Sequence, residues 1–407
     1  MQYVKRSLES ILEKAVSQFP ATMLTGPRQS GKTTLLRHLF GGSHRYLSLE
    51  SPDVRLAAAS DPRGFLALNP APAIFDEIQY VPELLFYIKE LIDERRQLAG
   101  QFILTGSQNL LLQEKVTETL AGRTAVLQLL PLSLDEIQGC PEALFPWERR
   151  EIACNNPAPL SIRATWELML RGCYPELIEA PEKDQTLWHS SYIQTYLERD
   201  IRNLRQIGDL AQFQQFLRAV AGRSGQLFQP SDLAKDLGIS VNTVRSWVGL
   251  LEATDQIVLV RPYFANISKR LVKTAKIYFT DVGTLCYLLG IREVEYLANN
   301  SMMGGHAFET FVFSQVYKRL LHRGRQPSIY FWRTSAGSEV DLLVEEQGKL
   351  WPIEVTSTAT PKGSMAKGIA AFQADLGSQV GQGYLVHMGE QLLPAMARVT
   401  ALPLYLL

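Results

Sequence analysis

The chain has 407 residues, 46% of them hydrophobic and 20% charged, which is too long for one core and ordinary for a globular protein of two or three domains. Its 41 basic and 41 acidic residues balance, so no global field draws it to nucleic acid or to an anionic membrane, and such contact would need a local patch. The four cysteines are scattered with no C-x-x-C pair, no apolar run approaches membrane-spanning length, and the amino terminus reads as an amphipathic helix; these features fit a cytoplasmic protein with reduced thiols and no membrane contact.

Ala21 to Thr25 reads as a short buried strand, and Thr34 to Phe40 as a helix. Between them lie Gly26, Pro27, Arg28, Gln29, Ser30, Gly31, Lys32, Thr33 and Thr34, a complete G-x-x-x-x-G-K-[ST] phosphate loop. The glycines let backbone N–H groups wrap a polyphosphate, and the helix N-terminus favours its charge. Lys32 is expected to reach the β- and γ-phosphates, and Thr33 to give its hydroxyl to Mg²⁺. The expected ligands are therefore ATP and Mg²⁺.

Pro70 to Phe75 reads as an apolar strand ending in Asp76 and Glu77. In a phosphate-loop site the first carboxylate holds the Mg²⁺ shell and the second polarises the attacking water; the same pair also suits capping of a helix near Pro82. The next buried strand, Gln101 to Leu104, delivers Thr105 and Ser107 at its carboxyl end, where parallel sheets bind ligands. Either can sense the γ-phosphate or serve the turn. Arg123, ahead of another β-rich run, is a candidate to neutralise charge on the transferring phosphoryl group, against the alternative of a solvated surface arginine.

Residues 1–150 thus alternate strands and helices as a parallel α/β sheet requires. A Pro- and Asn-bearing stretch from Cys140 to Pro159 marks a boundary. Residues 151–275 read as largely helical, with Tyr192, Ile193, Tyr196, Leu197, Ile201 and Leu204 at helical spacing and Glu198 and Arg202 as an i,i+4 pair. Within them, Pro230 to Leu251 reads as helix-turn-helix, with Gly238 in the turn and Ser240 capping the second helix. Gln256 to Tyr263 adds a strand that can form a wing. The second helix carries only Arg245 as a cation, whereas Lys269, Arg270, Lys273 and Lys276 gather after it, so duplex DNA and a protein both stand as partners.

In residues 276–407 a mostly apolar helix, Gly304 to Leu320, precedes β-like runs at Ser328–Arg333, Glu339–Glu345 and Leu350–Val355, a helix near Ala366–Leu376 and a strand at Gly383–Met388. Glu309, Asp341 and Glu354 can then gather at one end of a small mixed sheet as a second divalent-metal site. This order of elements, with E…D…E-x-K, resembles the PD-(D/E)xK nuclease core. Here Thr356 stands where that pattern has lysine, and a neutral hydroxyl cannot supply its positive charge, so cleavage is disfavoured unless Lys362 or Lys367 reaches in.

Across nearly the whole chain these segments resemble a widespread group of prokaryotic AAA-like ATPases that end in a domain of unknown function. The resemblance rests on Thr25 to Thr34, Phe75 to Gln79, Leu104 to Ser107, Leu120 to Arg123, Tyr174-Pro-Glu176, Tyr196 to Asp200, Lys276-Ile-Tyr-Phe279 with Asp281 and Gly283, Phe308-Glu309, and Trp332-Arg333 before Glu339-Val-Asp341. It implies an α/β P-loop NTPase domain, a winged-helix middle and a restriction-endonuclease-like α/β end. The chain departs from the group at Thr356 and at Asp281-Val-Gly-Thr284, where Asp-Thr-Gly-Leu is usual. Two functions follow: an ATPase whose hydrolysis drives or times an action on or near DNA, or a nucleotide-gated switch with negligible turnover whose carboxy-terminal half holds a protein partner; a second copy of the chain stands as a partner as well.

Overall fold

The computed structural model describes residues 3–106, 119–149, 158–197, 210–264 and 274–407. A five-stranded parallel sheet forms first, from β1 (Ala21–Thr25), β2 (Arg45–Ser48), β3 (Ala73–Asp76), β4 (Phe102–Gly106) and β5 (Thr124–Gln128), in the order β2-β3-β4-β1-β5. Successive residues of a strand face opposite sides, and a parallel sheet is covered on both. Leu24, Ile74 and Ile103 accordingly pack toward the helices Glu9–Gln18 and Lys32–Phe40. Met23, Phe75 and Leu104 pack toward the helix Leu84–Glu94 on the other side. This continuous burial is why the three strands read as apolar runs.

Among the described residues the second body is one nine-stranded sheet. Its strands are β6 (Gln226–Leu227), β7 (Ile257–Pro262), β8 (Lys276–Phe279), β9 (Ile329–Arg333), β10 (Glu339–Glu346), β11 (Lys349–Thr356), β12 (Gly383–His387), β13 (Leu393–Met396) and β14 (Val399–Pro403). Their order is β13-β14-β12-β11-β10-β9-β7-β8-β6. β7 pairs antiparallel with β8 along one edge and parallel with β9 along the other, through Arg261↔Tyr330 and Pro262↔Phe331. A division at residue 276 therefore falls at the head of β8, which hydrogen-bonds back to β6 and β7.

Helices Leu210–Ala221, Pro230–Leu237 and Val241–Ala253 pack beside β6 to β8. Gly238 closes the second of them in a left-handed conformation, and the Ser240 hydroxyl accepts the Thr243 N–H to start the third, as the turn and cap residues led us to expect. The long helix Ser301–His322 lies across both sheets, with Phe308, Phe311, Phe313 and Val316 in the largest core. Strands β13 and β14 and the short helices Val282–Leu288 and Val294–Asn299 had no sequence expectation. The expected pair Glu198 and Arg202 lies outside the described residues, as do Ile201 and Leu204. Among the described residues no helix is long and apolar enough to cross a membrane.

Candidate functional site

The parallel sheet brings the carboxyl ends of β1, β3 and β4 together, and the phosphate loop leaves β1 there. Gly26 has φ +141°, and a Cβ on it would lie 2.0 Å from the Leu129 carbonyl oxygen, so no other residue fits. Gly31 is left-handed at φ +95° and hands the chain into the helix Lys32–Phe40. Lys32 is 5% exposed, and its Nζ donates to the carbonyls of Gly26 (2.9 Å) and Pro27 (2.8 Å), closing the loop on itself. Burial pulls its ammonium below the usual lysine range, against the opposing pull of Glu77 and Asp76.

Asp76 ends β3 and is the polar centre of the site. The Thr33 hydroxyl donates to its Oδ2 at 2.9 Å, Tyr46 donates to the same oxygen, and Thr105 donates to Oδ1. Glu77 follows with φ +59°, a conformation few non-glycine residues adopt, and its N–H donates to the Thr105 hydroxyl at 3.1 Å. Gln79 donates to the Glu77 carboxylate. Thr105 thus positions both carboxylate residues; Ser107, its companion in the sequence reading, lies outside the described residues.

Lys32, Thr33, Thr34 and Glu77 line a cleft of about 450 Å³ whose other wall comes from outside the sheet: Tyr3, stacked on His38 at 3.8 Å between centroids, and Pro175, Glu176 and Glu179. Arg28 and Gln29 also line it, and Arg28 pairs with Glu50 at 3.8 Å. The wall helix Pro175–Glu179 is held by an Asp281 anchor. Asp281 accepts the Cys173 N–H at 2.8 Å and the Thr284 N–H at 2.9 Å. A Cβ on Gly283 would sit 2.6 Å from Gly172 Cα, so the Asp281–Gly283 motif exists to let two chain segments touch. Sequence reading gave neither this anchor nor the part played by Tyr3.

Ser30 is fastened from behind. Arg6 Nη1 donates to the Ser30 carbonyl at 2.8 Å and Nη2 to the Leu130 carbonyl at 2.7 Å. Its Nε lies 3.1 Å from Glu136, which faces His322 at 3.2 Å. Burial alone would raise the Glu136 carboxyl; Arg6 and His322 beside it reverse this and hold it well below the usual carboxylate range.

Two expectations need correction. Arg123 precedes β5, whose Thr124 pairs with Ala21 at the start of β1, so it sits at the end of the sheet opposite the loop. It forms a two-pronged pair with Asp93 (2.6 and 3.0 Å) and does not reach the phosphate loop of its own chain. Lys276, read as part of a surface basic patch, is 4% exposed and lies among carboxylates; Lys269, Arg270 and Lys273 fall outside the described residues.

Those carboxylates are the second set. Lys276 Nζ stands 2.7 Å from Glu339, 3.3 Å from Glu309 and 3.8 Å from Asp341. Tyr278 donates to Glu309 at 2.6 Å, and the Val355 N–H donates to Asp341 at 2.9 Å. Burial and the Asp341 charge raise Glu354, which hydrogen-bonds Asp341. Lys362 and Lys367 are exposed. The three expected residues therefore come to one place, yet among the described residues no three His, Cys, Asp or Glu side chains are arranged to hold a metal ion.

The α/β sheet with a phosphate loop on β1 and a carboxylate on β3 defines a nucleotide-binding protein of the AAA class. The family described as "AAA domain" matches residues 18–138, and two domains of unknown function, DUF8612 and DUF4143, match 162–295 and 304–407. The uncharacterized protein Rv2008c of Mycobacterium tuberculosis and Mb2031c of Mycobacterium bovis are each 31% identical over 405 residues, covering 98% of this chain and 83% of the relative. The chain belongs to the same family as these relatives and carries an AAA domain followed by DUF8612 and DUF4143. A Walker-type ATPase of Pyrococcus abyssi aligns over 70% of this chain and 96% of its own at 20% identity and a TM-score of 0.47. RuvB of Thermotoga maritima aligns over 62% of this chain and 88% of its own at 15% identity and a TM-score of 0.25.

Proposed function

We propose that this protein binds ATP with Mg²⁺ in the cleft beside Lys32 and hydrolyses it. The observation that carries this reading is the Asp76 carboxylate, 2.9 Å from the Thr33 hydroxyl at the mouth of the phosphate loop. Thr33 and Asp76 are the residues that would hold Mg²⁺, which when bound neutralises charge on the β- and γ-oxygens. Main-chain N–H groups from Gly26 to Thr34 wrap the phosphates, and Lys32 exchanges its two carbonyl partners for phosphate oxygens. Glu77, fixed through its N–H by Thr105, orients the attacking water and accepts its proton. Purified protein should turn over ATP with Mg²⁺, and Glu77→Gln should retain ATP binding while losing turnover; wild-type turnover in that variant would remove Glu77 from the mechanism.

Helices 210–221, 230–237 and 241–253 with β6, β7 and β8 support a winged-helix reading of the middle region. The DNA-directed role rests on Arg245, exposed on the helix 241–253, and on the segment outside the described residues. Burial of Lys276 favours the second reading, a nucleotide-gated switch that holds a protein partner. ATP turnover measured with and without duplex DNA separates them: stimulation supports action on DNA, and an unchanged rate supports the switch.

A further inference from the structure

A restriction-endonuclease-like core implies a divalent metal among Glu309, Asp341 and Glu354. We propose that Lys276 is the resident cation of this cluster, holding the place such a metal would take, so that the C-terminal domain neither binds Mg²⁺ nor cleaves phosphodiesters.

The geometry carries the argument. A Mg²⁺ ion needs oxygens at about 2.0–2.1 Å around one point. Two of the three expected ligands, Glu309 on the helix Ser301–His322 and Asp341 on β10, already face an ammonium at 3.3 and 3.8 Å, and Glu339 on β10 faces it at 2.7 Å. Lys276 is 4% exposed and its main chain is fixed. It opens β8, where its backbone is in register with Leu227 on one side and Val260 on the other, and its ammonium lies 5.5 Å from the Phe331 ring centroid. The carboxylates are tied down as well, Glu309 by the Tyr278 hydroxyl and Asp341 by the Val355 N–H. A second cation beside the ammonium would meet like charge in a poorly solvated place, where repulsion is strong.

The lysine also arrives from the wrong side to replace the one missing at Thr356. It enters from the middle region, not from β11, and so ties β8 to the C-terminal domain rather than standing beside a reacting phosphate.

Mn²⁺ uptake by the intact chain without nucleotide, followed by electron paramagnetic resonance, tests this. The natural protein and Asp341→Asn should take up the same amount, because any Mn²⁺ at the phosphate loop is common to both. Lys276→Met should gain a further Mn²⁺ per chain, lost again in Lys276→Met/Asp341→Asn. Mn²⁺ bound by the natural protein and lost in Asp341→Asn overturns the proposal, as does a folded Lys276→Met that gains none. Should Lys276→Met not fold, the comparison of natural protein with Asp341→Asn decides alone. Mg²⁺-dependent plasmid cleavage abolished by Asp341→Asn would equally overturn it.

Discussion

Glu136 and His322 meet 3.2 Å apart, both fully buried, one from the AAA portion and the other from the last turn of the helix Ser301–His322. The Leu130 N–H donates to His322 Nε2 at 3.1 Å, so the ring carries its proton on Nδ1 and presents it to Glu136. Burial pulls the imidazole below its usual range, against the opposing pull of Glu136. Through Arg6 this contact continues to the Ser30 carbonyl in the phosphate loop.

Replacing His322 by Ala should therefore do two things. Leaving the Leu130 N–H and the Arg6–Glu136 pair with an unfilled space costs about 3 kcal/mol in stability, read as a lower Tm. ATP affinity should fall as well, although His322 does not line the cleft, because Glu136 keeps Arg6 aligned on the loop. A destabilised variant with wild-type nucleotide affinity would show that the chain of contacts ends at Glu136.

Lys32→Ala should abolish ATP binding at concentrations that saturate the natural protein, with the fold retained. Lys32 closes the loop through two main-chain carbonyls that solvent can satisfy once the cleft is opened. Calorimetric titration with ATP, beside a circular dichroism spectrum, checks both halves. Nucleotide binding close to wild type would place the phosphates elsewhere.

Gly26→Ala should be the most damaging single change in the loop. The added methyl would sit 2.0 Å from the Leu129 carbonyl oxygen, which is backbone and cannot turn aside. Gly122, also at positive φ but with open space around its Cβ position, is the control: Gly122→Ala should leave ATP binding intact. Equal effects of the two on ATP binding would mean that the crowding at Leu129 does not matter.

Glu354→Gln should stabilise the protein above neutral pH. Burial and the neighbouring Asp341 charge push the Glu354 carboxyl up to about 10, against an ordinary value of 4.5. Between those values the folded chain binds a proton that the unfolded chain has lost, so this group's contribution to stability falls as pH rises. An amide donates the same hydrogen bond to Asp341 without that penalty. The gain at pH 8 should be on the order of 1 kcal/mol after allowance for solvent screening, and should close toward pH 4.5. Parallel Tm-versus-pH curves for the two proteins would refute it.

The phosphate loop was legible because its chemistry is local: the residues that wrap, neutralise and cap lie within nine positions on one strand-to-helix turn. Asp76 and Glu77 were legible for the same reason, as charges ending an apolar strand. What sequence could not give is strand order. Arg123 looks like a site residue until β5 is placed beside β1 in parallel register, which sends residues 123 and 26 to opposite ends. Lys276 looks like one cation in a basic run until pairing with β6 and β7 turns it inward. Its three carboxylate partners lie between 33 and 65 positions further on, and no local pattern connects them.

The hydrogen-bond ladder that runs unbroken from β13 to β6 limits how this chain can move. Because β7 shares one edge with β8 and the other with β9, tilting the helix pair 230–253 drags the C-terminal strands along with it. Three matched families are thus carried on two sheets. The two sheets meet at more than one place: the Leu132 N–H donates to the Cys173 carbonyl, the Pro175–Glu179 helix lines the nucleotide cleft, and Glu136 faces His322, so a ligand at the phosphate loop lies within one contact of both.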